Sequence, residues 1–338
     1  MRQSKAVILP AARGTVAVGQ VWLADPGPGE VLLRLEACGI CHSDLFVAGL
    51  EKLPRAPVTL GHEGIGLVEA VGPGVTEWAH GDRAGITFLA TTCGACEWCL
   101  SGRERFCPKQ SNFGFSRDGA LSEYAVVPAA ALVRVPASLS AGAAAPLCCA
   151  GWTAYGALRE AGLASGQTVA LFGFGGLGHL ALQMARLRHL RVAVADVSES
   201  KLEMARANGA EIALDAANAG RTLQKEHGGV DAAIVLTASP EAIGQAFRAL
   251  KRNGTLVLVG LSQSPYELPL TDTILKGVTI RGSYLGTGQE LREVFELACA
   301  GAIRAHVHMH DLEETPLILE SMRRGEVVGR AVANCVAR

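Results

Sequence analysis

The sequence has no surplus of charge of either sign. Its 31 Lys and Arg stand against 32 Asp and Glu, a formal net charge of −1 with a pI near 6.8, so it offers no broad basic field to nucleic acid or an anionic membrane. It also lacks any window of the ~18 uncharged apolar residues that a membrane-spanning helix needs. The opening MRQSKAVILPAARGT breaks a short apolar stretch at Pro10 and shows none of the basic, long apolar and small-residue regions of an export signal. Internal repeats and low-complexity tracts are absent too. These absences leave a soluble chain, expected in the cytoplasm, whose default business is with small molecules.

With 338 residues, 49% of them hydrophobic, the chain is long enough for two domains with separate cores. Over the first ~145 residues, short apolar runs such as 31-VLLRLEA, 65-IGLVEAV and 123-EYAVVP are punctuated by Gly and Pro, which predicts a β-rich domain. From about Gly151 the texture changes to strands alternating with helices: 168-TVALFG, 177-LGHLALQMARLR, 191-RVAVAD, 199-ESKLEMARANG, 231-DAAIVLT, 240-PEAIGQAFRALKR, 255-TLVLVGL and 278-VTIRGSY. That alternation predicts right-handed crossovers and a doubly wound parallel sheet, an α/β architecture. A last helix, 289-QELREVFELACAG, and the terminal 327-VVGRAVANCVAR are expected to return to the first domain.

Ten cysteines in a chain without an export signal read as metal ligands and buried thiols rather than disulfides. Cys93, Cys96, Cys99 and Cys107, spaced C-x2-C-x2-C-x7-C in a segment with neither strand nor helix periodicity, form a four-thiolate set suited to a sealed structural zinc. A scattered set, Cys41, His62 and Cys149, mixes sulfur with nitrogen, as a zinc with one position open to substrate does. Cys38, Cys148, Cys299 and Cys335 remain as buried thiols.

Strand 168-TVALFG runs into Gly173-Phe174-Gly175-Gly176-Leu177-Gly178 and then a helix, so the G-x-G-x-x-G pattern stands in the strand-turn-helix setting that binds dinucleotides. Gly173 permits the tight turn, Gly175 lets a pyrophosphate approach the backbone, and Gly178 allows close helix packing. Asp196, 18 residues beyond Gly178 at the end of the next strand, can accept both ribose hydroxyls and repel a 2′-phosphate, which favours NAD over NADP. It can also simply end its strand and cap the helix that follows.

These motifs together resemble the zinc-dependent alcohol dehydrogenases of the medium-chain dehydrogenase/reductase superfamily. The signature G-H-E-x2-G-x5-G-x2-V is met by Gly61, His62, Glu63, Gly66, Gly72 and Val75, and a C-A-G-x-T-x-Y string runs from Cys149 to Tyr155. The resemblance implies a GroES-like catalytic domain (1–147, with a return segment 287–338) interrupted by a Rossmann NAD-binding domain (148–286), zinc and nicotinamide meeting in the cleft. It implies two zinc ions per chain, Cys41, His62 and Cys149 holding the catalytic one with Glu63 behind as a transient ligand; the C-A-G string selects Cys149 over Cys148. Asp44 would fix the tautomer of His62, and Ser43 would take the alcohol's proton. His42, Lys201 and Arg330 match cofactor contacts. Family habit suggests a homodimer or homotetramer.

The sequence departs from its relatives at Phe46, where many carry a histidine that passes the proton on to solvent, and at Gly288, where a G-T-R motif loses its arginine. Phe46, Phe88 and Trp152 are candidate walls of a pocket for apolar or aromatic alcohols, with core burial the alternative for each. A polyol dehydrogenase on the same scaffold is the alternative function, although such relatives usually replace the third ligand with glutamate. Zinc-free quinone and enoyl reductases lack counterparts of these ligands. A nucleic-acid-binding zinc ribbon would need a basic face, whereas Glu97 and Glu104 balance Arg103 and Arg105. His306, His308 and His310 alternate as on one strand face, and with no cysteine beside them a solvated strand or a subunit contact is the expectation.

Overall fold

A computed structural model of the chain describes residues 1–336. They form two compact units, one of Met1–Cys149, Thr287–Cys299 and the segment from Ala305 onward, the other of Ala150–Gly286 and Ala300–Arg304. The division thus falls between Cys149 and Ala150.

The first unit is built on a seven-stranded sheet. Strands Val133–Arg134, Arg83–Gly85, Gly64–Val71, Glu30–Gly39, Arg330–Asn334 and Val307–Asp311 follow one another across it, and Tyr124–Pro128 pairs Glu30–Gly39. Glu30–Gly39 lies at the centre and is nearly all buried, which its apolar run EVLLRLEACG explains. A second sheet joins Arg2–Leu9 to Ala17–Leu23 and Val58–Thr59. Leu9, Leu33, Leu35, Ile40, Leu60, Ile86 and Phe113 are buried in the core of this unit. The four-cysteine segment carries only a one-turn helix, Glu97–Leu100, and a 3-10 turn, Glu104–Phe106.

The second unit is a six-stranded parallel sheet in the order Ile212–Asp215, Arg191–Asp196, Thr168–Phe172, Val230–Val235, Leu250–Leu258, Thr279–Gly282. With its first strand at the centre and the chain winding out both ways, it has the strand order of a dinucleotide-binding sheet. The helix expected from Pro240 through Arg252 ends at Ala249, and Leu250 opens a strand bent by the left-handed Asn253 (φ 59°).

Candidate active site and metal centres

Asp44 organises the scattered ligand set. It lies in the first turn of helix His42–Ala48, 1% exposed, and its Oδ2 accepts the Cys41 N–H (2.9 Å) while its Oδ1 accepts the Gly61 N–H (3.1 Å). One carboxylate therefore ties together two chain segments that each deliver a ligand. The same Oδ1 stands 3.6 Å from Nδ1 of His62, longer than a hydrogen bond but close enough to hold the proton on that nitrogen. Nε2 of His62 is buried and has no partner among the described residues.

Around that nitrogen, Cys41 Sγ and Cys149 Sγ are 4.0 Å apart, and one ligand atom each from Cys41, His62, Glu63 and Cys149 lies within 4.8 Å of all the others. Two sulfurs bonded to one tetrahedral zinc sit about 3.8 Å apart. A buried imidazole nitrogen without a partner, beside two thiols at that spacing, fits such an ion. Electrostatics agree: the Cys149 thiol pointing at Cys41 and, against the cost of burial, the imidazole of His62 hold Cys41 well below the usual thiol range. Burial opposes a charge on His62, and Asp44 together with Cys41 outweighs it, so the ring is held above its usual range; a metal at Nε2 would have to displace that proton. Cys148 has its thiol pushed up by burial and lies outside the cluster; Cys38 and Cys335 are buried as well, whereas Cys299, expected to be buried, is exposed at the end of its helix.

Glu63 sits at the back of the cluster, with Arg330 as its partner. The Arg330 guanidinium donates to Glu63 Oε1, both side chains being almost wholly buried. Glu63 Oε2 has no partner among the described residues. Burial raises the Glu63 carboxyl to about 7, and Arg330 restrains the rise. Sequence reasoning offered Arg330 as a cofactor contact and missed this pairing, 267 positions apart, for which no local signal exists. Ser43 Oγ lies 3.6 Å from Cys41 Sγ. Phe88 packs edge-on against the His62 ring, centroids 5.2 Å apart at 83°. Phe46 is half-buried on the same helix as Ser43, and His42 is exposed. Trp152 is buried in the second unit, near the start of helix Ala150–Ala161.

The four-cysteine segment closes on itself. Cys96 and Cys99 place their sulfurs 3.5 Å apart, Cys93 and Cys99 3.9 Å, and Cys107 Sγ accepts the Cys93 N–H at 3.4 Å. All four sulfurs lie within 4.8 Å of one another, again the spacing of a tetrahedral thiolate cage. Backbone N–H groups of Ala95 and Cys96 lower the Cys93 thiol to about 6.

In the second unit the glycine turn is open where a pyrophosphate needs room. Gly173 has φ +99°, a Cβ on Gly178 would meet the Gly173 carbonyl at 2.5 Å, and a Cβ on Gly175 would meet nothing within 4 Å. Gly176 and Leu177 complete the turn, with Leu177 at the N-cap of helix Gly178–Leu187. Asp196 spans the turn and its own strand end, Oδ2 accepting the Phe174 N–H (2.6 Å) and Oδ1 the Ser198 N–H (3.0 Å). Each oxygen keeps a second lone pair for a hydroxyl. Lys201 is half-buried on helix Glu199–Ala207.

Residues 27–137 match the alcohol dehydrogenase GroES-like domain, and residues 176–300 match the zinc-binding dehydrogenase family. An alcohol dehydrogenase of Geobacillus stearothermophilus is 39% identical over 332 residues, 97% of this chain and 98% of that one. This chain belongs to the zinc-binding alcohol dehydrogenase family. Among solved structures, the alcohol dehydrogenase of the hyperthermophilic archaeon Aeropyrum pernix superposes with a TM-score of 0.92 at 32% identity, covering 98% of this chain and 99% of that one. A structure described as an NAD-dependent alcohol dehydrogenase gives a TM-score of 0.90 at 28% identity, covering 98% and 99%. As a zinc-binding alcohol dehydrogenase the chain is an oxidoreductase that interconverts alcohols with aldehydes or ketones. No helix among the described residues is long and apolar enough to cross a membrane.

Proposed function

We propose that the chain oxidises primary or secondary alcohols of apolar or aromatic character with NAD, and reduces the corresponding aldehydes or ketones, at the Cys41–His62–Cys149 cluster. The observation that carries this reading is the orphaned Nε2 of His62 beside the two thiols. When bound, zinc supplies Lewis-acid stabilisation of an ionised alcohol oxygen, and NAD supplies a hydride acceptor.

The chain's residues do the remainder. Cys41, His62 and Cys149 hold the ion, and Glu63 waits behind them as a further ligand. Asp44 orients His62 and fixes Cys41 through its backbone N–H. Ser43, beside Cys41, hydrogen-bonds the alcohol and takes its proton. Phe88 and Phe46 give the pocket apolar walls that keep water away and disfavour polyols. Cys93, Cys96, Cys99 and Cys107 hold a second, structural zinc that orders a segment with little secondary structure of its own. Gly173 to Gly178 receive the pyrophosphate, and Asp196 receives the adenosine ribose; its negative charge favours NAD over NADP.

The protein works as a homo-oligomer in the cytoplasm. Strand Thr279–Gly282 ends the parallel sheet with all four residues exposed, and the adjacent helix Leu270–Lys276 exposes Leu270, Ile274 and Leu275. An edge unpaired among the described residues beside an apolar patch of this kind suits pairing with a second copy.

A panel of alcohols, including benzyl alcohol and butanol, assayed with NAD and NADP before and after zinc removal tests the proposal. Formation of NADH that is lost with the metal is expected. Zinc-replete protein inert toward every alcohol in the panel, and toward the matching aldehydes and ketones with NADH and NADPH, would contradict it.

A further inference from the structure

Away from both cysteine clusters, strand Val307–Asp311 forms the last strand of the seven-stranded sheet, paired among the described residues only with Arg330–Asn334. His306, immediately before this strand, and His308, on it, are both exposed, and the extended backbone, whose His306 carbonyl accepts the Arg330 N–H, sets side chains two positions apart on one face. Their ring centroids are 4.8 Å apart at an interplanar angle of 79°. With metal–nitrogen bonds of about 2.1 Å, each ring centre lies about 3.2 Å from a shared ion, so two imidazoles on one metal at about 90–109° stand about 4.6–5.3 Å apart. The observed separation falls in that range.

We propose that His306 and His308 form a third metal site, a two-imidazole chelate on the sheet edge for a borderline divalent cation such as Cu²⁺, Ni²⁺ or Zn²⁺. Imidazole selects these ions over Mg²⁺ and Ca²⁺, which prefer oxygen. His310 lies on the same face but about 13 Å along the strand from His306, too far to share the ion, and its Nδ1 stands 3.8 Å from Glu314 Oε2. The remaining coordination positions go to water. The sequence pattern alone favoured a solvated strand, since alternation does not reveal whether the rings approach; the ring separation does. The backbone beneath is held firmly. The His306 carbonyl accepts the Arg330 N–H at 2.8 Å, and the His306 ring covers Gly329, where a Cβ would come within 2.8 Å of Cδ2. With His306 so held and His308 paired to Ala331 in the sheet, the two ligands lose little further freedom on binding.

The test uses untagged protein with both cysteine sites loaded with zinc, titrated with Cu²⁺ and followed by electron paramagnetic resonance and calorimetry. One additional equivalent per chain with a spectrum from two nitrogen ligands is expected. His308→Gln or His306→Gln should weaken binding at least about tenfold and leave a one-nitrogen spectrum, while His310→Gln and the alcohol-oxidising activity of all three variants stay unchanged. An extra equivalent that survives loss of both His306 and His308, that depends equally on His310, or that does not bind at all would overturn the site.

Discussion

Gly39→Ala tests whether the buried Glu63–Arg330 pair is held in place by the missing side chain of a glycine. Gly39 ends strand Glu30–Gly39, and a Cβ built there would lie 1.9 Å from Glu63 Oε2, 2.7 Å from its Cδ and 2.9 Å from its Cβ. Its backbone has nowhere to retreat, being paired to Val332 on one side and donating its N–H to the Glu63 carbonyl at 3.1 Å on the other. The carboxylate must therefore move by more than an ångström, which breaks its bond to Arg330. Breaking a buried ion pair costs about 3–5 kcal/mol, and overpacking alone about 1–3 kcal/mol; the two overlap, since one displacement relieves the other. At about 2–4 °C per kcal/mol for a domain of this size, the zinc-loaded variant should melt roughly 10 °C lower. The three nearest atoms all belong to Glu63; in a Glu63→Ala background the Oε2 and Cδ contacts are gone and only the 2.9 Å contact with the Cβ remains, so Gly39→Ala should cost no more than the ~1–3 kcal/mol of overpacking. Differential scanning calorimetry of the four proteins completes the cycle. A melting point for Gly39→Ala close to wild type, or the same loss in both backgrounds, would refute the reasoning.

Three further outcomes are expected. Asp196→Ala should cut discrimination between NAD and NADP by about tenfold or more, since hydrogen bonds to a charged group contribute about 1.5–3 kcal/mol; steady-state KM values for both cofactors measure it, and unchanged discrimination would show that Asp196 only braces the turn. In zinc-stripped protein the Cys93 thiol, held down at about 6 by backbone N–H groups, favours the folded segment fully above pH 9, and that contribution is lost as pH falls through about 6. Its alkylation rate should follow the same midpoint, and a midpoint near 9 would contradict the geometry. Phe46→His should raise alcohol oxidation mainly at lower pH by giving the proton an exit, and an unchanged pH profile would show that position to be kinetically silent.

What local sequence specified and what it left open divide along a physical line. The glycine turn was legible residue by residue, because each of Gly173, Gly175 and Gly178 answers a short-range steric demand: a left-handed φ, open space, and a carbonyl 2.5 Å from any Cβ. The four-cysteine segment was legible for the same reason, as its ligands lie within fifteen positions of one another. Strand Ile212–Asp215 and helix Ala219–His227 were not, being short, the helix offering Leu223 as its one large apolar side chain, too little pattern to mark either element. The pairing of Glu63 with Arg330 and the space at Gly39 were likewise invisible, because both depend on which strands become neighbours.

That dependence also governs the catalytic cluster. Cys41 follows the central strand Glu30–Gly39, His62 precedes Gly64–Val71, and Cys149 follows the 3-10 turn Ala145–Cys148. The first two are brought together by antiparallel pairing that sets Cys38 opposite Gly64, after which Asp44 fixes both segments through their N–H groups. A slip of one residue in that pairing would turn alternate side chains to the opposite face, moving Leu33 and Leu35 out of the core. The hydrophobic pattern of the central strand, rather than any attraction among the ligands, is therefore what sets the separation of sulfur and imidazole, and a substitution that loosens that register should lose the metal before it loses the fold.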